Sequence, residues 1–266
     1  MVLRDLLLVL ENSRYISRIL ATSAPTDVTF RETSAEGAGG REKVGLMEIV
    51  RGLITKTGVL RSPGAAVFTV GSGPDDGERW FFINGIATGR KLATQNATCI
   101  NNLFGHPVTV VHNPTYGIFL DLLECAFERT LDQTTNVSDD LYDAVMAALL
   151  DGKKVRMLGH SQGGISIGRL LHRLQGEQSD VLNNLEIYTF ASAADENVKI
   201  EGVWQEHFAN TDDFVSRVGV LNFPFDGTMY VRKSAGHLLN RDYLEHFIGG
   251  HYCGGKSRLF SYLSYI

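Results

Sequence analysis

In the segment Gly159-His160-Ser161-Gln162-Gly163 a serine stands between two glycines, each two positions away. A serine hydroxyl is a weak nucleophile at neutral pH. It attacks a carbonyl only when an imidazole takes its proton and a carboxylate fixes the tautomer of that imidazole and stabilises its charged form. The spacing alone is common among sequences, so its setting has to carry the argument. The apolar run Val155-Arg156-Met157-Leu158 comes directly before it, and the helix-like run from Ile165 to Leu171 comes directly after. In a strand-turn-helix of this kind the serine occupies a strained tight turn. Small residues at positions 159 and 163 keep strand and helix from colliding, and Gly164 adds room. The turn also aims backbone N–H groups of a helix N-terminus at charge developing beside the serine, which makes the Gln162 amide a candidate oxyanion donor.

Candidates for both partners lie downstream. After the apolar run Val203 to Ala209 comes Asn210-Thr211-Asp212-Asp213-Phe214-Val215-Ser216-Arg217, which puts two carboxylates, Asp212 and Asp213, at the mouth of a strand. Asp195 and Asp226 are further candidates. Among eight histidines, His237 follows the last strand candidate by a short loop and opens the helix-like run Leu238 to Phe247. Its rival His251 lies beyond that run, and about ten helical residues would carry the chain about 15 Å away. His160 is expected to point away from the serine and pack beneath it. His106, His112, His172 and His207 have no motif around them. His246, His251 and Cys253 cluster loosely, but at no zinc-site spacing, so neither metal nor cofactor is expected.

The elements that would hold these residues read as alternating strands and helices. Strand candidates are Ala65 to Val70, Arg79 to Ile83, Val108 to His112, Lys154 to Leu158, Leu185 to Phe190, Val203 to Ala209 and Thr228 to Arg232. The first two are separated by a turn-rich stretch, Gly71 to Gly77. Helical patterns lie between most of the others, such as Asp140 to Leu150 and Ile165 to Leu174. The alternation predicts an α/β fold with a mostly parallel central sheet flanked by helices. Upstream, Leu3 to Leu20 and Val44 to Ile54 have helical spacing, so residues 1–60 read as a helical extension packed on one domain spanning 1–266.

With 266 residues, 44% of them hydrophobic and 21% charged, the chain can bury a full core. A formal net charge of -5 without a dense Lys/Arg block argues against nucleic-acid binding and leaves small molecules or lipids as partners. Cys99, Cys125 and Cys253 are too scattered for a disulfide framework or a zinc site, which points to a reducing, cytoplasmic compartment. Leu6 to Leu10 is too short to span a membrane, and Glu11 ends it before a signal-peptide core forms. The amphipathic N-terminal helix leaves peripheral membrane contact open.

From Ala65 to Phe247 the order of elements resembles the α/β-hydrolase superfamily, and GHSQGG at 159–164 is similar to the nucleophile elbow of its lipases and esterases. The resemblance implies the chain order Ser, acid, His and supports His237. Matching Asp213-Phe214-Val215-Ser216-Arg217 to the Asn-Asp-Ile-Val-Pro-Arg pattern of class 3 lipases selects Asp213. In the family a second oxyanion donor commonly follows a His-Gly pair. Here Asn84-Gly85-Ile86 is similar, with Asn84 in place of the histidine, which implies the Ile86 amide. Only Ala191 to Glu201 separates the sixth strand of the family's count, Leu185 to Phe190, from the seventh, so no large cap insertion is expected there. The acyl pocket would instead be covered by the N-terminal helices or by Asn113 to Asp139. Tyr116, Phe119, Leu120 and Leu122 of that segment either line it or form the buried face of another helix. The resemblance implies hydrolysis of small-molecule or lipid carboxylic esters through an acyl-enzyme. The same residues would serve an acyltransferase or a thioesterase, whereas a silent binding relative would usually lack one of the three groups.

Overall fold

Side chains of a strand alternate between the two faces of its sheet, and this chain uses both faces. In the computed structural model, which describes residues 11–12, 66–85, 88–112, 136–177 and 179–264, β2 (Glu78–Ile83) sends Trp80 and Phe82 to one core and Phe81 and Ile83 to the other. The other strands are β1 (Ala66–Val70), β3 (Val108–His112), β4 (Lys154–His160), β5 (Leu185–Phe190), β6 (Trp204–Asn210) and β7 (Thr228–Arg232). They form one seven-stranded sheet in the order β1-β3-β2-β4-β5-β6-β7. Every pairing is parallel except that of β1 with β3. The two strands flanking the Gly71 to Gly77 turn are therefore not neighbours. β3 lies between them, because both edges of β2 are taken by β3 and β4.

Helices cover both faces, as the apolar runs require. α1 (Arg90–Phe104) buries Ala93, Ala97, Ile100 and Phe104 against Trp80, Val108 and Val110 on one face. α2 (Asn136–Leu150) and α3 (Gly163–Leu174) pack Leu141, Val145, Ile167, Leu170 and Leu171 against Val155 and Met157 on the other. α1 stops at Gly105, whose φ of 73° opens the left-handed cap that returns its N–H to the Asn101 carbonyl. α4 (Ser179–Leu182) and α5 (Phe214–Val218) are short. The run expected to be helical from Leu238 to Phe247 begins as a π-helix, Leu239–Leu244, and continues as α6, Glu245–Ile248.

Two features of the sheet set up the site. β4 runs two residues beyond its apolar stretch, because Gly159 and His160 pair with Thr189 and Phe190 of β5, so Ser161 follows the last strand residue directly. Residues 191–203 cross from β5 to β6 without a helix, so no cap-sized insertion stands there. Among the described residues, no helix is long and apolar enough to cross a membrane. The N-terminal helices apart from residues 11 and 12, the Ile86 position, Cys125 and the segment carrying Tyr116, Phe119, Leu120 and Leu122 lie outside the described residues.

Candidate active site

Ser161 has φ 58°, a left-handed value that a side chain of this size adopts only under constraint from its surroundings. The constraint is visible in the backbone. Ser161 N–H donates to the Phe190 carbonyl of β5 at 3.0 Å, and its own carbonyl accepts from Gly164 and Ala193, both at 3.0 Å. The flanking glycines are required by close approach. A Cβ on Gly163 would lie 2.3 Å from the Ile83 carbonyl oxygen, and one on Gly159 would lie 2.5 Å from the end of Ile167. The loop after β2 also reaches the serine, since a Cβ on Gly85 would meet the Ser161 Cβ at 2.7 Å. Asn84 of that loop is fully buried and donates from its amide to the Gly85 carbonyl at 2.8 Å.

His237 reaches the serine from the exit of β7, with its Nε2 2.9 Å from Ser161 Oγ. Its Nδ1 lies 2.9 Å from Oδ2 and 3.1 Å from Oδ1 of Asp213. The geometry fixes the tautomer: Nδ1 carries the proton toward the carboxylate, and Nε2 presents a lone pair to the hydroxyl. Asp213 is 1% exposed and caps α5, its Oδ1 accepting the Val215 N–H at 3.0 Å. Oδ2 also accepts from the Tyr243 hydroxyl at 2.6 Å and the Ser216 hydroxyl at 3.3 Å. A carboxylate held this way neither rotates nor leaves the imidazole.

The loop carrying His237 is fastened on several sides. Asp242 accepts the Leu238 N–H at 2.9 Å, and the Asn210 amide donates to the Asp242 carbonyl at 3.1 Å. Tyr252 in turn donates to Asn210 Oδ1 at 2.7 Å. His160, expected to pack beneath the serine, is buried with its ring 4.8 Å from that of His237. Its Nε2–H donates to the His237 carbonyl at 2.8 Å. Burial first, and then the nearby imidazole, push its pKa well below the ordinary value of 6.5. The two rings are tilted by 35°, and it is the His237 ring that presents Nε2 to Ser161 Oγ.

The structure thus brings Ser161, Asp213 and His237 together, with Gln162 at the start of the turn into α3. The carboxylate facing His237 belongs to Asp213, while Asp212 ties its backbone N–H to the Ser234 carbonyl. His251 instead puts Nδ1 3.2 Å from Nδ1 of His246. Asp226 offers its backbone carbonyl to the buried His207. His112 bonds the Thr88 carbonyl, and His172 pairs with Glu196. Tyr243, Ser216 and the contact of His160 with His237 were not read from the sequence. A tyrosine inside an apolar, helix-like run reads as core, and nothing in its spacing says that its hydroxyl meets a carboxylate.

The mostly parallel sheet, the serine in a left-handed turn between strand and helix, and the chain order Ser, Asp, His give this protein the α/β-hydrolase fold. No protein-family model and no curated protein sequence matches the chain. Solved structures similar to it include a monoacylglycerol lipase from Paleococcus ferrophilus, with a TM-score of 0.44 and 11% identity over 70% of this chain and 95% of that one. A type II thioesterase of yersiniabactin biosynthesis is similar with a TM-score of 0.44 and 9% identity over 72% of this chain and 99% of that one. An esterase from Pyrobaculum calidifontis is similar with a TM-score of 0.41 and 13% identity over 67% of this chain and 78% of that one.

Proposed function

We propose that this protein is a serine hydrolase that cleaves carboxylic esters through an acyl-enzyme. The observation that carries the proposal is the unbroken chain of contacts from Ser161 Oγ to His237 Nε2 and from His237 Nδ1 to Asp213, with the serine strained at the mouth of the sheet. Ser161 Oγ attacks the ester carbonyl carbon as its proton passes to His237 Nε2, and Asp213 stabilises the imidazolium. The negative charge on the carbonyl oxygen is assigned to the Gln162 amide at the N-terminus of α3 and to the Ile86 amide. For Ile86 the support is the close approach of Gly85, its chain neighbour, to Ser161. The tetrahedral intermediate collapses as His237 returns the proton to the leaving alkoxide. Water, deprotonated by the same imidazole, then releases the acid and restores the serine.

The test is a fluorophosphonate probe on wild type and Ser161→Ala, followed by p-nitrophenyl esters of increasing acyl length and a matched thioester. Labelling and turnover that disappear with Ser161→Ala support the proposal, and the preferred chain length separates esterase from lipase behaviour. A wild-type protein that neither labels nor turns over any ester or thioester would overturn it in favour of a binding role.

A further inference from the structure

We propose that Tyr243 is a positioning residue that sets the basicity of the Asp213–His237 pair through its hydrogen bond to the carboxylate. The inference rests on the reading of Ser161, His237 and Asp213 as the reacting set. The Tyr243 hydroxyl lies 2.6 Å from Asp213 Oδ2, the same oxygen that lies 2.9 Å from His237 Nδ1. The two donors share one acceptor atom, so the charge available to the imidazole depends on how much of it the phenol withdraws.

The direction of the phenol's bond is fixed by its surroundings. The Asn210 backbone N–H points at the Tyr243 oxygen at 3.2 Å, which leaves the single phenolic proton for the carboxylate. Ser216 Oγ stands 3.0 Å from the same phenol and 3.3 Å from Asp213 Oδ2, closing a small ring of hydroxyls around one carboxylate oxygen. Burial and the Asp213 charge hold the phenol pKa well above its ordinary value, so Tyr243 remains a donor throughout the working range. The side chain is fully buried between Phe190 and Tyr252, in ring contact with both.

The backbone supports the same reading. Tyr243 sits in the π-helix Leu239–Leu244, the element that directly follows the His237 loop. Such turns are rare and concentrate at functional sites, where the wider turn redirects a side chain. Here one π-helix supplies both Tyr243, which reaches the acid, and Asp242, which accepts the Leu238 N–H beside the base.

The consequence has a sign. A carboxylate that loses its phenol donor holds the imidazolium more strongly, so the pKa of His237 rises and the neutral base is lost at a higher pH. Among the described residues, other charged or titratable groups near the pair are His160 from the end of β4, Tyr252 beside Tyr243, and Asp242 with its partner Arg241, and all four remain in the variants described below.

The experiment is the second-order rate of fluorophosphonate inactivation against pH, counted per labelled Ser161, for wild type, Tyr243→Phe and Ser216→Ala. Tyr243→Phe is expected to move the acid limb upward by about half to one pH unit. Ser216→Ala should move the limb the same way by a smaller amount. A merely structural tyrosine would reduce the amount of protein that labels and leave the limb of the remainder in place. That result, or an unmoved limb in Ser216→Ala where Tyr243→Phe does not fold, overturns the inference. Wild type that labels on Ser161 while both variants keep its limb sinks this inference alone. Wild type that fails to label sinks the hydrolase reading beneath it.

Discussion

Two clusters of charged and hydroxyl groups lie at opposite ends of the same sheet, and only one is the proposed reacting site. At the amino ends of the strands, Arg156 of β4 pairs with Glu78 of β2 and, at 3.2 Å, with Glu186 of β5. Glu186 also accepts from Tyr188, Tyr262 and Arg258, and Glu206 of β6 accepts from Ser257, Trp204 and the Arg258 backbone. Each carboxylate there meets a cation or several fixed donors, and the hydroxyls, Ser257 on Glu206 and Tyr188 and Tyr262 on Glu186, donate straight to a carboxylate with no imidazole between. At the carboxyl ends the carboxylate is just as firmly held, but its partner is an imidazole whose other nitrogen faces Ser161 Oγ at 2.9 Å. A buried acid is therefore no sign of chemistry by itself. The difference is an imidazole placed between the acid and a hydroxyl in a strained turn.

The sharpest way to separate the two ends is to remove the reacting groups and measure rate and stability together. Ser161→Ala should lower ester turnover by roughly 10⁴- to 10⁶-fold, with a thermal midpoint at or above that of wild type, because the left-handed turn loses no packed atom beyond Oγ. Asp213→Asn should lower turnover by about 10⁴-fold, since the amide keeps the volume but can reverse the tautomer of His237. A loss for either variant that tracks unfolding, with normal turnover of the folded fraction, would make the carboxyl end as structural as the amino end.

The converse experiment is Arg156→Met at the amino end. It removes the cation that Glu78 and Glu186 share from either side of β4, and should cost about 3–5 kcal/mol of stability while the folded fraction keeps its wild-type rate of fluorophosphonate labelling. Urea unfolding followed by circular dichroism, with labelling of the same samples, measures both. A variant that folds normally but labels slowly would mean that the two ends are coupled through β4.

The two ends also differ in what the sequence discloses. The elbow is legible because its requirements are local: strand, turn and helix follow one another, and Gly159 and Gly163 are demanded by neighbours a few residues away in space and by the adjacent β2. The alternation of apolar runs gave the strands to within a residue or two at most ends, since half-buried and fully buried strands carry that pattern into the chain. The amino-end network leaves no such trace, because its members come from β2, β4, β5, β6 and the C-terminal turn and meet only once the sheet is assembled. The same holds for Tyr243, whose hydroxyl reaches Asp213 only through a π-helical turn that reads as ordinary helix in the sequence. Pairing β1 with β3, and not with β2, also depends on the finished sheet.

A weaker effect distinguishes buried histidines from the proposed base, His237, as the pH falls. His207 is fully buried, donates Nε2–H to the Asp226 carbonyl at 2.9 Å, and is pushed down to about 4 by that burial. The unfolded chain takes up this proton below about 6.5 and the folded chain does not, so stability falls as the pH drops from about 6.5 toward 4 and the loss levels off below that. The total is about 3 kcal/mol for this residue, and His160 adds to it in the same direction. Unfolding midpoints at pH 7, 5.5 and 4.5 should show a shallower decline in His207→Gln than in wild type. Equal slopes would mean that His207 is protonated in the folded protein.

The smallest effects are expected from the residues that sequence reasoning held as rivals. Asp212 and Asp213 are adjacent, yet the turn between β6 and α5 directs them differently: Asp213 folds back to cap Val215 and meets His237, while the Asp212 backbone is tied to Ser234 at the exit of β7. His251 puts its ring against His246 and is exposed. Asp212→Asn and His251→Ala should each change turnover by less than about twofold, within the range of surface substitutions that touch no reacting atom. Steady-state rates on one short-chain ester, compared with Asp213→Asn and His237→Ala under the same conditions, decide the matter. If Asp212→Asn loses as much as Asp213→Asn, the acid has been assigned to the wrong side of the turn, and the phenol of Tyr243 would be holding a carboxylate that the reaction does not use.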